Sequence, residues 1–375
     1  VEKGMSAWWG SNDMGYIVRD TVIVDGDEGS CGTLTIADGN VVSMYPAMAL
    51  RVWGNLVAEG TAGRGVEFTS ASAAAPHGFG VLFDQYRGNS ELRGCRFRDM
   101  WRGVYMATVQ TNAARVRLAG CTFSNLLQDA IQVQGAAGVD ALVVSNSLVT
   151  GCGQSMYVNN GGRIEVVGTD FVDSGPLYIR GDYRTTNTVA VFEDCNFRGL
   201  GTRVDTDHLM TNHTSLGGYS SFLTLRNCTV AGNLGCGVRM LDFGHVELED
   251  SIVWNNAVGA FGEASGATYT ARTSCVQSGS GAGTLVGCVT NAPGFIGWAG
   301  GSSTVYVHSV SSCPGAGTEA NPYCSLSGAL KTYWEQFDFG LAVGSPCIGT
   351  GSGGGNRGAG KGTGGAGGTG REGRG

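Results

Sequence analysis

The chain has 375 residues, a net charge of −7, and 65 glycines against 7 prolines. Its 42% share of hydrophobic residues is enough to fill a core and excludes a disordered chain, while the acidic balance and the lack of a basic stripe exclude a nucleic-acid partner. No apolar run is long enough to cross a bilayer as a helix, so we expect no transmembrane segment.

The twelve cysteines predict an oxidising compartment, and therefore an extracellular or cell-surface protein. The disulfide candidates are Cys313 with Cys324 and Cys275 with Cys288, since each pair lies in a loop-like stretch and would close a short ring. The alternative is that several cysteines are inert thiols, packed in the core as small hydrophobic residues. We interpret the start of the chain, at Val1, as a mature or trimmed end, since the pattern of a secretory signal is not seen there.

The first segment, residues 1–20, combines Trp8, Trp9 and Tyr16 with polar neighbours. Because the terminal turn of a repeat protein exposes unpaired strand edges, we interpret this segment as an N-terminal cap. From Thr21 onwards the sequence reads as short strands, in which alternating apolar and polar residues are broken by Gly, Asn and Asp. No amphipathic helix interrupts this region, so a sheet built from βαβ units is excluded.

One phrase recurs along the middle of the chain, with the pattern apolar-x-apolar-x-x-small-x-apolar. A period in the twenties that tolerates insertions is typical of a solenoid, and strands without helices at that period indicate a parallel β-helix. We therefore predict an all-β parallel β-helix of about ten turns over residues 21–297, in which the small residues form an inward column that fixes the register. The small position is filled, at intervals of 22 to 33 residues, by Cys95, Cys121, Ser147, Thr169, Cys195, Cys228 and Ser251.

Three further phrases carry a family resemblance: LRVWGNLVAEGTAGRGVEFTS, which begins at Leu50, and the late phrases NAPGFIG and GSPCIGTG. Together with the cysteine-containing turns they resemble the bacterial secreted and cell-surface right-handed parallel β-helix proteins of the pectate-lyase-like group. The likeness covers roughly residues 20–350 and implies a right-handed parallel β-helix. Because many chemistries and many binding roles share this scaffold, the resemblance implies the fold and leaves the function open.

The C-terminal part of the chain departs from the repeat. Residues 298–350 hold an insertion and a closing turn, and the insertion contains SLSGALKTYWEQF, where we expect the chain's one helix. In residues 351–375, fourteen of the 25 positions are glycine, which predicts a flexible tail. An alternative for this tail is extended packing against a neighbouring molecule, as in a polymer.

In a β-helix, equivalent residues of successive turns stack about 4.8 Å apart and form columns. Aligning the strands predicts one outward column of Tyr105, Gln132, Tyr157, Tyr178, Met210, Arg239 and Phe261, and a second of Ala107, Gln134, Asn159, Arg180, Asn212, Leu241 and Glu263. Aromatic faces carry the C–H surfaces of sugars, and amides and guanidinium groups bond their hydroxyls or carboxylates. The alternative is an aromatic ladder that stabilises a flat sheet, or a face covered by loops. The residues predicted to line a polysaccharide groove are Tyr105, Gln132, Tyr157, Tyr178, Asn159 and Arg239.

The densest cluster of ionisable groups lies in the longest interval between repeats, of 33 residues. It contains Asp205, Asp207 and His208, and Arg180 of the second outward column lies next to it. Inserted loops on rigid scaffolds often carry function, so these four residues are the candidate catalytic group. The aspartates can form an acid/base pair or hold a calcium ion, and His208 can serve as a base. The alternative is a solvated, salt-bridged loop.

The sequence lacks the motifs that the resemblance would imply for an enzyme. The paired aspartates, Gly-His-Gly and Arg-x-Lys of polygalacturonase-like members are missing. The tripeptide Gly244-His245-Val246 matches only the first two residues of Gly-His-Gly, and it lies on a different turn. Our leading hypothesis is a non-catalytic extracellular protein, a structural surface, sheath or fibre component or an adhesin, with a polysaccharide or cell-surface glycan as partner. Unpaired strand edges at both ends of the rod predict end-to-end self-association. The alternative is a polysaccharide lyase or glycoside hydrolase acting in the groove; no cofactor is expected, with calcium as the alternative.

Overall fold

The structure is a computed structural model of the chain, and several segments lie outside its description. It describes residues 1–10, 15–27, 29–61, 63–72, 77–107, 114–135, 142–181, 187–200, 210–214, 221–233, 235–241, 244–256, 258–263, 267–277, 283–293, 295–296, 338–341, 345–354, 356 and 358. For residues 210–214, 241, 263, 296, 338–340 and 354 it describes the backbone alone. The predicted C-terminal helix lies outside the described residues, as do Asp205, Asp207, His208, Cys313 and Cys324.

Parallel strands form three long sheets, and ten successive turns of the described chain each contribute one strand to every sheet. This arrangement confirms the predicted all-β parallel β-helix. With strands numbered in chain order, the first sheet has twelve: β1 Ser6–Trp9, β6 Thr33–Ile36, β9 Asn55–Glu59, β12 Asn89–Arg93, β15 Arg115–Ala119, β18 Leu142–Ser145, β21 Arg163–Val167, β24 Thr188–Glu193, β27 Ser221–Arg226, β30 His245–Glu249, β33 Thr268–Arg272 and β35 Thr284–Val286. The second has eleven: β2 Tyr16–Val18, β7 Val41–Met44, β10 Val66–Ser70, β13 Cys95–Arg98, β16 Thr122–Ser124, β19 Leu148–Thr150, β22 Asp170–Val172, β25 Asn196–Arg198, β28 Thr229–Ala231, β31 Ile252–Trp254 and β34 Cys275–Val276. The third has ten: β3 Val22–Val24, β8 Ala49–Val52, β11 Gly80–Phe83, β14 Val104–Met106, β17 Asp129–Gln134, β20 Gln154–Asn159, β23 Leu177–Gly181, β26 Met210–Thr214, β29 Cys236–Leu241 and β32 Gly259–Glu263.

Smaller elements lie outside the three sheets. Two short antiparallel pairs are β4 (Gly26–Asp27) with β5 (Ser30–Cys31), and β36 (Phe295–Ile296) with β37 (Asp338–Leu341). Among the described residues the helical structure is limited to a 3₁₀ turn at Ser352–Gly354. A helix with the length and apolar character needed to cross a membrane is therefore absent from the described part of the chain.

The interior of the solenoid is filled by the inward-facing residues of each strand. In the second sheet, Phe68, Phe97 and Phe123 occupy one register column, and neighbouring rings stack with centroids 4.9 and 4.8 Å apart. All three side chains are fully buried. Because the backbone ladder holds adjacent strands about 4.8 Å apart, identical rings in one column meet face to face. The stack therefore ties three consecutive turns together.

The predicted column of small residues lies at the start of the second-sheet strands, and its seven members are buried. Each side chain donates a hydrogen bond to the carbonyl two residues earlier, as Ser251 Oγ does to Glu249 O at 2.9 Å and Cys195 Sγ to Glu193 O at 3.2 Å. Where the column holds a hydroxyl, that oxygen also accepts the backbone N–H of the preceding turn; the Cys228 N–H donates to Ser251 Oγ at 3.1 Å. The column therefore links successive corners and sets their register.

Immediately before each small residue the chain turns through a left-handed conformation. Glycine tolerates this conformation because it has no Cβ, and the short polar side chains of asparagine and aspartate stabilise it by local hydrogen bonds. A turn-forming residue followed by a small residue is thus the local signal for each corner. The corner residues, with φ between 48° and 61°, are Gly94, Gly120, Asn146, Gly168, Asp194, Asn227 and Asp250.

Substitution at Cys195 tests whether the buried thiols of this column are packing residues. We expect Cys195→Ser to change the free energy of unfolding by less than about 1 kcal/mol, because Ser147 and Ser251 make the same carbonyl bond in other turns. Cys195→Leu should cost about 1–3 kcal/mol, since the position is fully buried and the added carbons must displace neighbours. Denaturant unfolding followed by circular dichroism measures both changes. A larger loss for serine than for leucine would contradict the packing role.

The disulfide predicted between Cys275 and Cys288 is wrong. Cys275 pairs in the backbone ladder with Val289, so Cys288 is one position away and its side chain lies on the opposite face. The Cys275 sulfur contacts Asn291 O at 3.2 Å, whereas the Cys288 sulfur contacts Ala271 O at 3.3 Å. None of the ten described cysteines is in a disulfide, so these cysteines give no support to an oxidising compartment.

The solenoid begins inside the segment that was predicted to be a separate cap. Strand β1 pairs in parallel with β6, and β2 with β7, so residues 6–18 already contribute the first strands of two sheets. Trp9 stacks on Tyr16 with ring centroids 4.8 Å apart and packs against the interior core. The aromatic residues of this segment are therefore part of the first turn.

The C-terminal segment packs on the outside of the second sheet. Phe295, Leu341 and Cys347 form a buried group with Ile252 that is separate from the interior core. Since Val253 belongs to the interior core, its neighbour Ile252 faces outward. The predicted closing phrase around Cys347 therefore covers the last turns from outside.

Candidate functional site

The third sheet presents an outward column that matches the sequence prediction in four successive turns. Tyr105, Gln132, Tyr157 and Tyr178 are consecutive partners in the backbone register. The three tyrosines are half-buried, whereas Gln132 is buried. Side chains of this column form the outer surface of β14, β17, β20 and β23.

The predicted columns are wrong at later positions. Thr211, not Met210, continues the column in β26, and Gly262, not Phe261, continues it in β32. Phe261 is buried and stacks on Tyr269 with centroids 4.1 Å apart. The corner between the second and third sheets varies in length, and a slip of one residue moves every side chain to the other face of the strand. The positions that these shifts remove from the two columns are Met210, Phe261, Asn212 and Glu263.

A surface cleft of about 500 Å³ lies where the corners of the fourth to seventh turns lead into the third sheet, counting the turn of β1 to β3 as the first. Its lining includes two tyrosines, three glutamines and three charged side chains. The backbones of adjacent turns lie so close together here that a Cβ on Gly153 would be 2.1 Å from the carbonyl oxygen of Leu127. Glycine is therefore required at this point of the cleft wall.

Two tyrosines form the aromatic part of the cleft. Tyr157 and Tyr178 stand edge to face, with ring centroids 6.2 Å apart and planes at 84°. Both are half-buried, so part of each ring is accessible to a ligand. Arg180 follows two residues later on β23, and its exposed side chain also lines the cleft.

Arg102 and Asp129 form a largely buried ion pair in the cleft lining. Arg102 Nε donates to Asp129 Oδ2 at 3.1 Å, and Arg102 Nη2 donates to Gln128 Oε1 at 2.9 Å. The guanidinium group also lies 5.4 Å from the ring centroid of Phe79 and 5.3 Å from that of Tyr105. The side chains of Arg102 and Asp129 are 21% and 4% exposed. Several contacts therefore hold Arg102 in place, and it in turn orients Asp129.

The Asp129 carboxyl is buried, but only one of its two oxygens has a hydrogen-bond partner among the described residues. Burial raises its pKa above the ordinary range, and the Arg102 guanidinium opposes part of that rise. Its Oδ1 is buried and has no hydrogen-bond partner among the described residues, and the same holds for Gln132 Oε1 and Asn159 Oδ1. Buried polar atoms are satisfied in the great majority of cases, so unpaired acceptors in a cleft are groups that a ligand can engage.

The structure separates the predicted sugar-binding residues into two sets. Tyr105 stands beside the cleft, where its hydroxyl donates to Gln134 Oε1 at 2.9 Å, and Arg239 lies on β29, two turns beyond β23. Asn159 is buried on β20 next to the lining. Arg180, from the candidate catalytic group, joins the cleft. The predicted sugar-binding residues that line it are Gln132, Tyr157 and Tyr178.

Six of the lining residues were not singled out from the sequence, and three of these are Arg102, Asp129 and Gln154. They form a column of their own, because Asp129 pairs with Gln154 and Arg102 stands one turn earlier in the same register. A signal was present, since each lies three residues before a member of the outward column that begins at Tyr105. An alignment of the corners, in addition to the strands, would have found them.

A comparison with protein families supports the fold. The family described as "right handed beta helix region" matches residues 29–171, which run from β5 into β22. Together with the three parallel sheets, this match supports a right-handed parallel β-helix. The matched stretch includes Arg102, Asp129 and Tyr157 of the cleft and ends before Tyr178. Searches of curated proteins and of solved structures gave no significant match to this chain.

Proposed function

We propose that this protein is a non-catalytic glycan-binding protein of the cell surface or extracellular space, an adhesin or surface component that holds a polysaccharide in the third-sheet cleft. The observation that carries the proposal is the lining of that cleft, where Tyr157 and Tyr178 stand among glutamine, arginine and aspartate side chains. Aromatic rings take the C–H faces of sugars, and amides, guanidinium groups and carboxylates bond the hydroxyls.

The size and position of the cleft support a ligand of a few sugar rings. Its volume of about 500 Å³ is within the range of small-ligand pockets. Its residues come from four consecutive turns, from Arg102 before β14 to Arg180 on β23. The cleft therefore runs parallel to the solenoid axis, across the stacked strands. An extended polysaccharide bound in it would cross several turns.

The described lining favours binding over hydrolysis. Asp129 is the one carboxylate among the described lining residues, and its Oδ2 is engaged by Arg102. Most glycoside hydrolases use two carboxyl groups that flank the scissile bond. The alternative function, a polysaccharide lyase or glycoside hydrolase, would draw on Asp205, Asp207 and His208, and it stays a prediction, as does end-to-end self-association of the rod.

Substitution of the cleft tyrosines tests the proposal. We expect Tyr157→Ala and Tyr178→Ala each to weaken the binding of a neutral polysaccharide about tenfold, which is 1.4 kcal/mol, because each removes a rigid aromatic anchor. Affinity electrophoresis through gels that contain soluble glucan, mannan or galactan identifies the polymer that retards the protein. Isothermal titration calorimetry with the matching oligosaccharide then gives the dissociation constants.

Tyr45→Ala is the matched control, since Tyr45 is 43% exposed and lies outside the cleft lining. We expect this variant to bind as the wild type does. Equal binding by all three variants, or no retardation of the wild type by any polysaccharide, would contradict the proposal. Polymer length after incubation separates binding from cleavage, because shortened chains would favour the enzyme alternative.

A further inference from the structure

Two buried acceptor atoms in the cleft are left unused by the fold. Asp129 and Gln132 are 3% and 6% exposed, and both line the cleft. Asp129 Oδ1 and Gln132 Oε1 have no hydrogen-bond partner among the described residues. A buried acceptor without a donor costs stability, so a ligand that brings donors to these oxygens recovers that cost on binding.

The neighbouring side chains do not supply the missing donors. The guanidinium group of Arg102 donates to the other oxygen of Asp129 and to Gln128 Oε1. The two unused acceptors lie three residues apart on β17. Asn159, on the adjacent strand β20, carries a third buried and unpaired acceptor. These three oxygens therefore form a patch of acceptors that a ligand can engage.

The chemistry of this patch decides which ligand group fits it. A metal cation is disfavoured because Arg102 Nε lies 3.1 Å from the Asp129 carboxylate, and the described residues hold no group of three His, Cys, Asp or Glu side chains suited to a metal. A carboxylate or sulfate placed against Asp129 Oδ1 and Gln132 Oε1 is disfavoured because it would face acceptor oxygens with no proton between them. Uncharged O–H or N–H donors remain, and on a glycan the common donors of this kind are hydroxyl groups.

We propose that the cleft selects neutral sugars through a pair of hydroxyl groups that donate to Asp129 Oδ1 and Gln132 Oε1. This inference rests on the proposed glycan-binding function and narrows its ligand to sugar residues without a carboxylate or sulfate at this position. Asp129 is the specificity-determining residue, and Arg102 is the positioning residue that holds it. A site built to bond a hydroxyl discriminates strongly against an analogue that lacks it, because its buried acceptors are then left unpaired.

The test uses the full chain and two variants of the acceptors. Asp129→Asn removes the charge and leaves one acceptor oxygen, and Gln132→Met removes the amide at similar length. The matched control is Asp170→Asn, the same chemical change on the second sheet, where Asp170 is exposed and Asn196 Nδ2 donates to it at 2.8 Å. The probes are a neutral polysaccharide that retards the wild type, its O-methylated derivative, and a polyuronate of similar chain length.

We expect the wild type to bind the neutral polymer about tenfold or more tightly than either the polyuronate or the O-methylated polymer. Asp129→Asn and Gln132→Met should each weaken neutral-polymer binding about tenfold or more, while Asp170→Asn leaves it unchanged. Circular dichroism melts establish that each variant is folded. If Asp129→Asn does not fold, Gln132→Met and the O-methylated polymer with wild-type protein carry the test.

The outcomes separate this inference from the function on which it rests. Tighter binding of the polyuronate, with the exposed Arg180 guanidinium as its partner, overturns the hydroxyl-donor inference and leaves glycan binding intact. The same holds if Asp129→Asn and Gln132→Met bind as the wild type does while Tyr157→Ala weakens binding. Failure of every polysaccharide to bind the wild type overturns the proposed function itself.

Discussion

Replacing Phe97 with alanine should lower the free energy of unfolding by about 4 kcal/mol. The Phe97 ring is fully buried and stands between the rings of Phe68 and Phe123, at centroid distances of 4.9 and 4.8 Å. Truncation removes both stacking contacts and leaves a cavity between two flat aromatic faces. The cavity cannot collapse easily, because the hydrogen-bonded ladders of the second sheet hold the neighbouring strands at a fixed spacing.

Equilibrium unfolding in denaturant, followed by far-ultraviolet circular dichroism, measures this loss. Arg96→Ala is the matched control, since Arg96 precedes Phe97 on β13 but faces outward and is 48% exposed. We expect the control to lose less than about 1 kcal/mol, as is usual for an exposed ion pair. A loss below about 1 kcal/mol for Phe97→Ala would show that the aromatic stack does not hold the turns together.

Arg102→Ala should destabilise the protein by about 2–3 kcal/mol at neutral pH. The substitution leaves the Asp129 carboxylate, 4% exposed, without its cation, and it removes the packing of the guanidinium group against Phe79 and Tyr105. We place the value below the usual cost of breaking a fully buried pair because the Arg102 side chain is 21% exposed. The measurement is again equilibrium unfolding in denaturant.

The effect of Arg102→Ala should depend on pH. Burial holds the folded-state pKa of Asp129 above its unfolded value of about 3.9. The stability that this group contributes is therefore present in full below the unfolded pKa. It is lost as the pH rises through the folded-state pKa. Without Arg102 the folded-state pKa rises further, so the loss becomes larger. The difference between wild type and variant should therefore grow between about pH 4 and pH 7.

Arg98→Ala provides the comparison, since Arg98 is 47% exposed and its guanidinium lies 2.7 Å from both Glu67 and Asp99. Because Arg98 itself is largely exposed, we expect its two ion pairs together to contribute less than about 1 kcal/mol and to show a weaker dependence on pH. An Arg102→Ala effect that is equal to that of Arg98→Ala, or that is constant between about pH 4 and pH 7, would contradict the buried ion pair.

Much of the fold could be predicted because the solenoid repeats its local chemistry. A left-handed corner residue followed by a small buried residue, as in Gly94 and Cys95 or Asn146 and Ser147, recurs in each turn from the fourth to the tenth. At these positions the backbone preference of the corner residue and the burial of the small residue predict the same corner. The turns can therefore be counted from the sequence. Cys275 and Cys288 show the limit of such counting, because sequence spacing does not reveal which face of a strand a side chain occupies.

The candidate site was predicted in part, and the missing part depends on contacts between turns. Tyr157 and Tyr178 follow corners of similar length, so their column could be aligned from the sequence. Met210 follows a long insertion, and the register there shifts by one residue. Asp129 is held in place by its ion pair with Arg102, which is 27 residues away in the chain and one turn away in space. Such a pair becomes visible only when the strand register is known.

A crystal structure of the protein with a neutral oligosaccharide tests the central claim most directly. We expect a sugar ring against Tyr157 and Tyr178, with one of its hydroxyl groups within hydrogen-bond distance of Asp129 Oδ1. An oligosaccharide bound on another face of the solenoid, or a carboxylated sugar seated on Asp129, would contradict the account.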